Sequence, residues 1–272
     1  MRGVLAYLKK SFLIATRYKL NIFIEYISPI ILLFIFYVVY SISFRNGKYI
    51  YVSVDNYSIT YLKYSVTGIL FSVYQFRILY MFCREMEYNK IAGYMETLII
   101  SSTGLTKIII AMFIWRMVFN FLVTLPYLVI GLFLIKGYIA LTFSKLLLIV
   151  CILLLSFFIF CCMGLFMAGL IIVFDQGLHF AVFFNQVLKL TGGIFIPLYL
   201  FPETLRVFLE NSPVYIYINL LRGIIFDNYS MVDIIPGISK LLIFMAIMCP
   251  VSVIFFNLCI KKSMVEGTLD RY

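Results

Sequence analysis

The chain alternates long apolar runs with short polar interruptions. Runs near Ile22–Phe44, Ile59–Phe82, Ile108–Ile135, Lys145–Phe174, Leu178–Leu200 and Gly237–Ile260 each reach the roughly 20 mostly apolar residues a membrane-crossing helix needs. The third and fourth exceed that minimum, which predicts tilt or extension past the lipid. The first run is too long and too far from the N-terminus for a cleaved signal peptide. The pattern predicts an all-α integral membrane protein with six transmembrane helices, built as one membrane domain over residues 1–272.

Two interruptions carry helical periodicity of their own. At about 100° per residue, Val4, Leu5, Tyr7, Leu8, Phe12, Ile14, Ala15 and Tyr18 fall on one half of a helical wheel. Lys9, Lys10, Thr16 and Arg17 fall on the other. Residues 1–21 therefore read as an amphipathic helix lying in the interface, basic side toward anionic headgroups. The plainer alternative is a solvated basic N-terminus that only sets topology. In the segment 84–107, Tyr88, Ile91, Ala92, Met95, Leu98 and Ile99 share one face, opposite Asn89, Lys90, Gly93, Glu96, Thr97 and Ser101. Ser101-Ser102-Thr103-Gly104 then reads as a helix stop and turn. This segment predicts a short helix along the cytoplasmic membrane face, with a polar edge outward.

Composition agrees with a membrane setting. Hydrophobic residues make up 64% and charged residues 12%, against about a quarter charged in a soluble domain. The net charge of +10 is spread along the chain or beside apolar runs, which suits an anionic lipid surface and argues against nucleic acid as a partner. Arg2, Lys9, Lys10, Arg17 and Lys19, with no acidic residue among them, place the N-terminus in the cytoplasm by the positive-inside rule. Six crossings bring Lys261, Lys262 and Arg271 back to that side, giving a multi-pass protein of the plasma (cytoplasmic) membrane with both termini cytoplasmic. Arg45, Lys48, Lys136, Lys145, Arg206 and Arg222 fall on the outer side against that rule. The six cysteines lack C-x-x-C spacing and read as reduced packing residues.

Polar groups at membrane depth mark candidate function. Asn185, Gln186 and Lys189 share one helical face in the fifth run. Lining of a translocation path and structural pairing both remain open for them. Gly192, Gly193 and Pro197 then break the helix, and irregular backbone at membrane depth is tolerated only in protein or beside a watery cavity. These six residues form the candidate path. Residues 201–236 hold Glu203, Arg206, Glu210, Asn211, Pro213 and Asp227 among apolar patches Val214–Leu221 and Gly223–Phe226, too short to span. They predict a re-entrant outer segment between spans five and six. Arg77 and Arg116, about 8–12 Å inside their cytoplasmic boundaries at 1.5 Å per residue, can snorkel to headgroups. Pro126 and Pro250 are candidate kinks. The lone His179, beside Asp175 and Gln176 at an inner turn, argues against a metal site.

Gly93-Tyr94-Met95-Glu96-Thr97-Leu98, following Arg84-Glu85-Met86-Glu87, resembles the G-T-L-E-x-L signature of membrane subunits of type-2 ATP-binding-cassette exporters. Thr191-Gly192-Gly193-Ile194-Phe195-Ile196-Pro197, then Pro202, Asn211-Ser212-Pro213 and Arg222, is similar to that family's G-x-x-F-P…L-P…N-P…R order. Span count, N-terminal helix and length agree, so the resemblance covers the chain. Tyr94-Met95 replaces Thr-Leu, and Ser102-Thr103 stands where the family often has proline.

The resemblance implies a translocation path formed by a permease dimer, with a second copy or a paralogue, over separate nucleotide-binding ATPase subunits. ATP and magnesium would sit on that partner, with no cofactor bound by this chain. Glu85, Glu87, Gly93, Glu96 and Thr97 would form the ATPase-coupling set, Glu96 foremost. A local partner such as Lys90, or a backbone cap, is the competing role for Glu96. The absence of G-x-x-x-x-G-K-[ST] agrees with an external energy source. The alternative is an ion-gradient-driven secondary transporter, whose expected sign is a carboxylate deep in the membrane. Glu25, near the inner end of the first run, is the only acidic residue close to a span interior.

Overall fold

The computed structural model describes residues 2–17, 19–43, 51–54, 57–93, 105–134, 142–174, 177–226, 229 and 231–267. Helix α1 (Arg2–Arg17) is followed by α2 (Lys19–Ser43), then by a hairpin of β1 (Tyr51–Val54) and β2 (Tyr57–Thr60). Helices α3 (Tyr61–Ile91), α4 (Leu105–Leu134), α5 (Phe143–Val173) and α6 (Gly177–Thr191) come next. A 3-10 turn at Leu198–Leu200 leads to α7 (Glu203–Glu210), α8 (Pro213–Phe226) and the long α9 (Met231–Glu266). The expected all-α fold is thus mostly helical, with one two-stranded exception.

The apolar runs become helices because an isolated backbone in hydrocarbon must satisfy its own N–H and C=O groups. Among the described residues, Tyr61–Ile91, Phe143–Val173 and Val232–Glu266 are long and apolar enough to cross a membrane. Tyr26–Val38, Ile109–Thr124 and Pro213–Phe226 are shorter apolar stretches. Pro126 lies within α4, and Pro236 and Pro250 within α9, without ending either helix.

Helix α5 is the central post, packed on α3 and α9. Lipid is as apolar as leucine, so helices associate through close van der Waals fit and small contact residues. Gly164 supplies one such contact: a Cβ there would stand 3.1 Å from Phe82 Cβ. Gly169 supplies another, with a Cβ 3.2 Å from Phe255 Cδ1. Phe166 stacks on Phe255 with centroids 4.2 Å apart. Two buried phenols tie the core together, Tyr74 donating to Leu153 O at 3.0 Å and Tyr217 to Phe71 O at 2.7 Å.

The hairpin pairs antiparallel, Val52 opposite Ile59 and Val54 opposite Tyr57. Val52 and Ile59 bury against Tyr64 at the head of α3. The apolar run predicts a span from Ile59, but Ile59 belongs to β2. The alternation Tyr-Val-Ser-Val and Tyr-Ser-Ile-Thr is a strand pattern, and the helix starts two residues later.

The fifth run also departs from expectation. Its helix ends at Thr191 after 15 residues, about 22 Å at 1.5 Å per residue, short of the roughly 30 Å hydrocarbon core. Gly193 takes φ +61, the left-handed region that L side chains avoid. In the segment 201–236, the two expected patches form one helix, α8, packed on α3, α5 and α9. Lys240 Nζ donates to Asn211 Oδ1 at 3.1 Å, holding the α7–α8 turn against α9.

Candidate functional site

Two arrangements collect the polar groups: a buried clamp at the break after α6, and a large cavity beside α3. The clamp centres on Arg222 of α8, fully buried. Its Nη2 donates to Tyr64 O at 2.9 Å and to Gly193 O at 3.1 Å, its Nη1 to Gly193 O at 3.1 Å, and its Nε to Thr67 Oγ1 at 3.3 Å. The guanidinium carbon lies 3.6 Å from the Tyr64 ring centroid, within cation–π reach. Tyr64 Oη donates to Gly193 O at 2.6 Å. Carbonyls just beyond the C-terminus of α6, where a helix carries partial negative charge, take the place of a carboxylate partner. Gly68 leaves room for this: a Cβ there would meet Arg222 Nη2 and Ile194 O, each at 2.6 Å.

The sequence reading noted Arg222 only as a motif member on the outer side. The structure makes it the pin of the fold at this point. Gly192, Gly193 and Pro197 are buried around it and absent from the described lining of the cavity. Their irregular backbone is held in protein around Arg222.

The cavity has a volume of about 1460 Å³ and lies among α1, α2, α3, α4 and α6. Its α3 wall runs from Ile69 to Asn89, about 30 Å of helix at 1.5 Å per residue. Asn185, Gln186 and Lys189 all line it, so those three predicted residues do come together. Asn185 is 6% exposed, and its Oδ1 has no hydrogen-bond partner. Lys189 Nζ stands 4.9 Å over the Phe76 ring.

Six cations share the described lining, Lys10, Arg17, Arg77, Arg84, Arg116 and Lys189, with Glu85 the one carboxylate among those residues. Lys10 and Arg17, expected to face lipid headgroups, are exposed on α1 and border the cavity. Helix α1 docks on α4 rather than only resting on lipid: Tyr7 is buried, and Phe12 meets Trp115 edge-on at 6.3 Å.

Glu85 sits where three helices meet. Tyr7 Oη of α1 donates to its Oε1, and Arg116 Nη2 of α4 pairs with its Oε2. Both ionic partners are largely buried, with side chains 16% and 15% exposed. Glu85, expected in the ATPase-coupling set, is thus held between helices, and Arg116, expected to be able to reach headgroups, is ion-paired to it. Sequence spacing could not reveal this, because the partners lie 78 and 31 residues away.

The amphipathic segment is likewise revised. Helix α3 runs on to Ile91, and Gly93, at φ +67, ends it with a 3.1 Å bond from its N–H to Lys90 O. This is the left-handed glycine of a helix stop, so no single helix covers 88–101. Tyr88 and Ile91 remain on the outer surface, but Asn89 and Lys90 are buried, at 3% and 7% exposure. Lys90 Nζ reaches Ile172 O at 3.2 Å, a cation on the last carbonyls of α5. Glu87 is half-buried. Glu96, Thr97 and the Ser101–Gly104 turn lie outside the described residues, as do Asp175, Gln176, Asp227 and the Glu25 side chain. His179 is exposed near the start of α6. Among the described residues, no group of three or more His, Cys, Asp or Glu could hold a metal.

The family model described as ABC-2 type transporter matches residues 2–226. No curated protein matches the chain.

Proposed function

Starting from the fact that this chain belongs to the ABC-2 type transporter family, as a multi-pass membrane permease component that is not itself the ATPase, we propose that it is the transmembrane subunit of an ATP-driven exporter. The family match over most of the chain carries this reading. Six crossings with both termini cytoplasmic, and a re-entrant outer segment over 201–236, belong to the same proposal. A separate nucleotide-binding subunit supplies ATP and magnesium, and a second permease copy or a paralogue completes the path.

The arrangement around Glu85 supports a coupling route. The segment 84–107 opens with the carboxylate, Glu85, that ties α1, α3 and α4 together. Displacement of that segment by a closing ATPase would be felt by three helices at once, all of them walls of the cavity. In this scheme Gly93, Glu96 and Thr97 form the docking element, Glu87 its flank, and Glu85 the internal brace behind it. Asn185, Gln186 and Lys189 line the path, while Gly192, Gly193 and Pro197 hold its outer end in shape.

The test is co-purification of tagged protein from its native membrane in mild detergent, wild type against Glu96→Lys. A stoichiometric ATPase retained by wild type and shed by the variant supports both the assignment and the docking residue. An ATPase retained equally by both places the docking contact elsewhere.

A further inference from the structure

The cavity beside α3 is graded from charged to apolar along its length. At the Asn89 end stand Arg84, the Arg116–Glu85 pair and Lys10, whose Nζ lies 5.8 Å over the ring of Tyr7, which bonds Glu85. One level further, Arg77 and Lys189 flank Phe76. Arg77 lies seven residues from Arg84 on the same side of α3, about 10 Å along the axis. Beyond them the wall becomes Leu32, Ile69, Val73, Ile194 and Phe195.

Cations are costly at membrane depth and mark substrate pathways when they face a cavity. Lys189 has no carboxylate or hydrogen-bond partner among the described residues, and its ring contact with Phe76 leaves the ammonium donors uncommitted. Asn185, nine-tenths buried on the same helix, presents an unpartnered polar side chain to the same space.

We propose that this cavity is the loading site for an anionic amphiphile, its phosphate-type head among Lys189, Arg77 and Arg84 and its apolar tail along Ile69, Leu32 and Phe195. Its role as cargo rests on the exporter reading above; its chemistry rests on the cavity alone.

Trp115, the chain's single tryptophan, lines the cavity and reports on occupancy. The full chain in phosphatidylcholine nanodiscs is titrated with tail-brominated phosphatidic acid, with brominated diacylglycerol of the same tails, and with inorganic phosphate as competitor. Phosphatidic acid is expected to quench Trp115 at least tenfold more tightly than diacylglycerol. The pair Lys189→Gln and Arg84→Gln should weaken phosphatidic acid about thirtyfold, from about 1 kcal/mol per basic residue, leaving diacylglycerol unchanged. Lys189→Arg alone should bind phosphatidic acid within about twofold of wild type, since it keeps the charge, and Lys261→Gln should have no effect.

Equal affinity for the two lipids, or indifference to the charge variants, overturns the proposal. So does quenching by neither lipid, the result expected if a second copy seals the face. Displacement by millimolar phosphate without lipid preference marks a soluble-anion site and overturns the amphiphile. Binding with no ATP-driven movement of labelled phosphatidic acid, in a complex that carries its ATPase, overturns the cargo role. Absence of any ATPase refutes the exporter reading without touching the binding result.

Discussion

Replacing Arg222 tests the structural reasoning most severely. Arg222→Ala removes a guanidinium with two strong backbone contacts, to Tyr64 O at 2.9 Å and to Gly193 O at 3.1 Å, along with its seat on the Tyr64 ring. Hydrogen bonds to charged groups contribute about 1.5–3 kcal/mol each, and a desolvated cation–π contact about 2 kcal/mol. Against these stands the cost of burying the charge, several kcal/mol. Two features limit what truncation can release. Gly193 O keeps its bond from Tyr64 Oη, and Tyr64 O keeps one from Thr67 Oγ1 at 2.9 Å. The void left behind and the freed Gly192–Pro197 segment remain. The net loss is about 2–5 kcal/mol, the range for truncating a large buried side chain, or roughly 10 °C in the midpoint of thermal unfolding in detergent. Arg222→Lys keeps the charge but cannot serve carbonyls on two elements with a planar fork, so it recovers less than half of that loss. The comparison variant is Arg206→Ala, which breaks an exposed i, i+4 pair with Glu210 and should shift the midpoint by about 1 °C or less, as exposed pairs contribute little. If Arg222→Ala unfolds no earlier than Arg206→Ala, the clamp does not hold the break and the reasoning fails.

Two further predictions concern the brace and the glycines. Glu85→Gln leaves Arg116 without its charge partner, and a double-mutant cycle with Arg116→Gln should show a coupling of about 1–3 kcal/mol in thermal or denaturant stability; additive effects would dissolve the three-helix junction. Gly193→Ala should cost about 2 kcal/mol, because the left-handed backbone strains an L residue and the new Cβ lies 3.1 Å from the Tyr215 ring. Gly93→Ala shares the strain but meets nothing within 4 Å, so its cost should stay near 1 kcal/mol; equal losses at the two sites would show that packing around Gly193 plays no part.

Membrane class and the positions of most long helices were legible because hydrocarbon thickness imposes a minimum apolar run, and that constraint is local in sequence. What failed was decided by distant partners. The run Leu178–Leu200 stays apolar throughout, yet its helix stops at Thr191 because Gly193 and the Arg222 fork stabilise a broken chain there. Asn89 and Lys90 look like water-facing residues by periodicity, but carbonyls at the end of α5 draw Lys90 inward. Glu85 resembles a rim charge until Tyr7 and Arg116 arrive from two other helices. The grouping of Asn185, Gln186 and Lys189 was readable because i, i+1, i+4 spacing fixes a face. Their convergence with Lys10, Arg17, Arg84 and Arg116 was not, since it requires five helices to be placed around one cavity.

The central claim, a permease component working through a separate ATPase, is tested most directly by the native mass of the complex purified from its own membrane. Two copies of this 31.7 kDa chain, or one copy with a related permease, together with two ATPase subunits is the predicted composition. A particle that contains only this chain, in several mild detergents, and that moves solute with an imposed proton or sodium gradient but not with ATP, would contradict it.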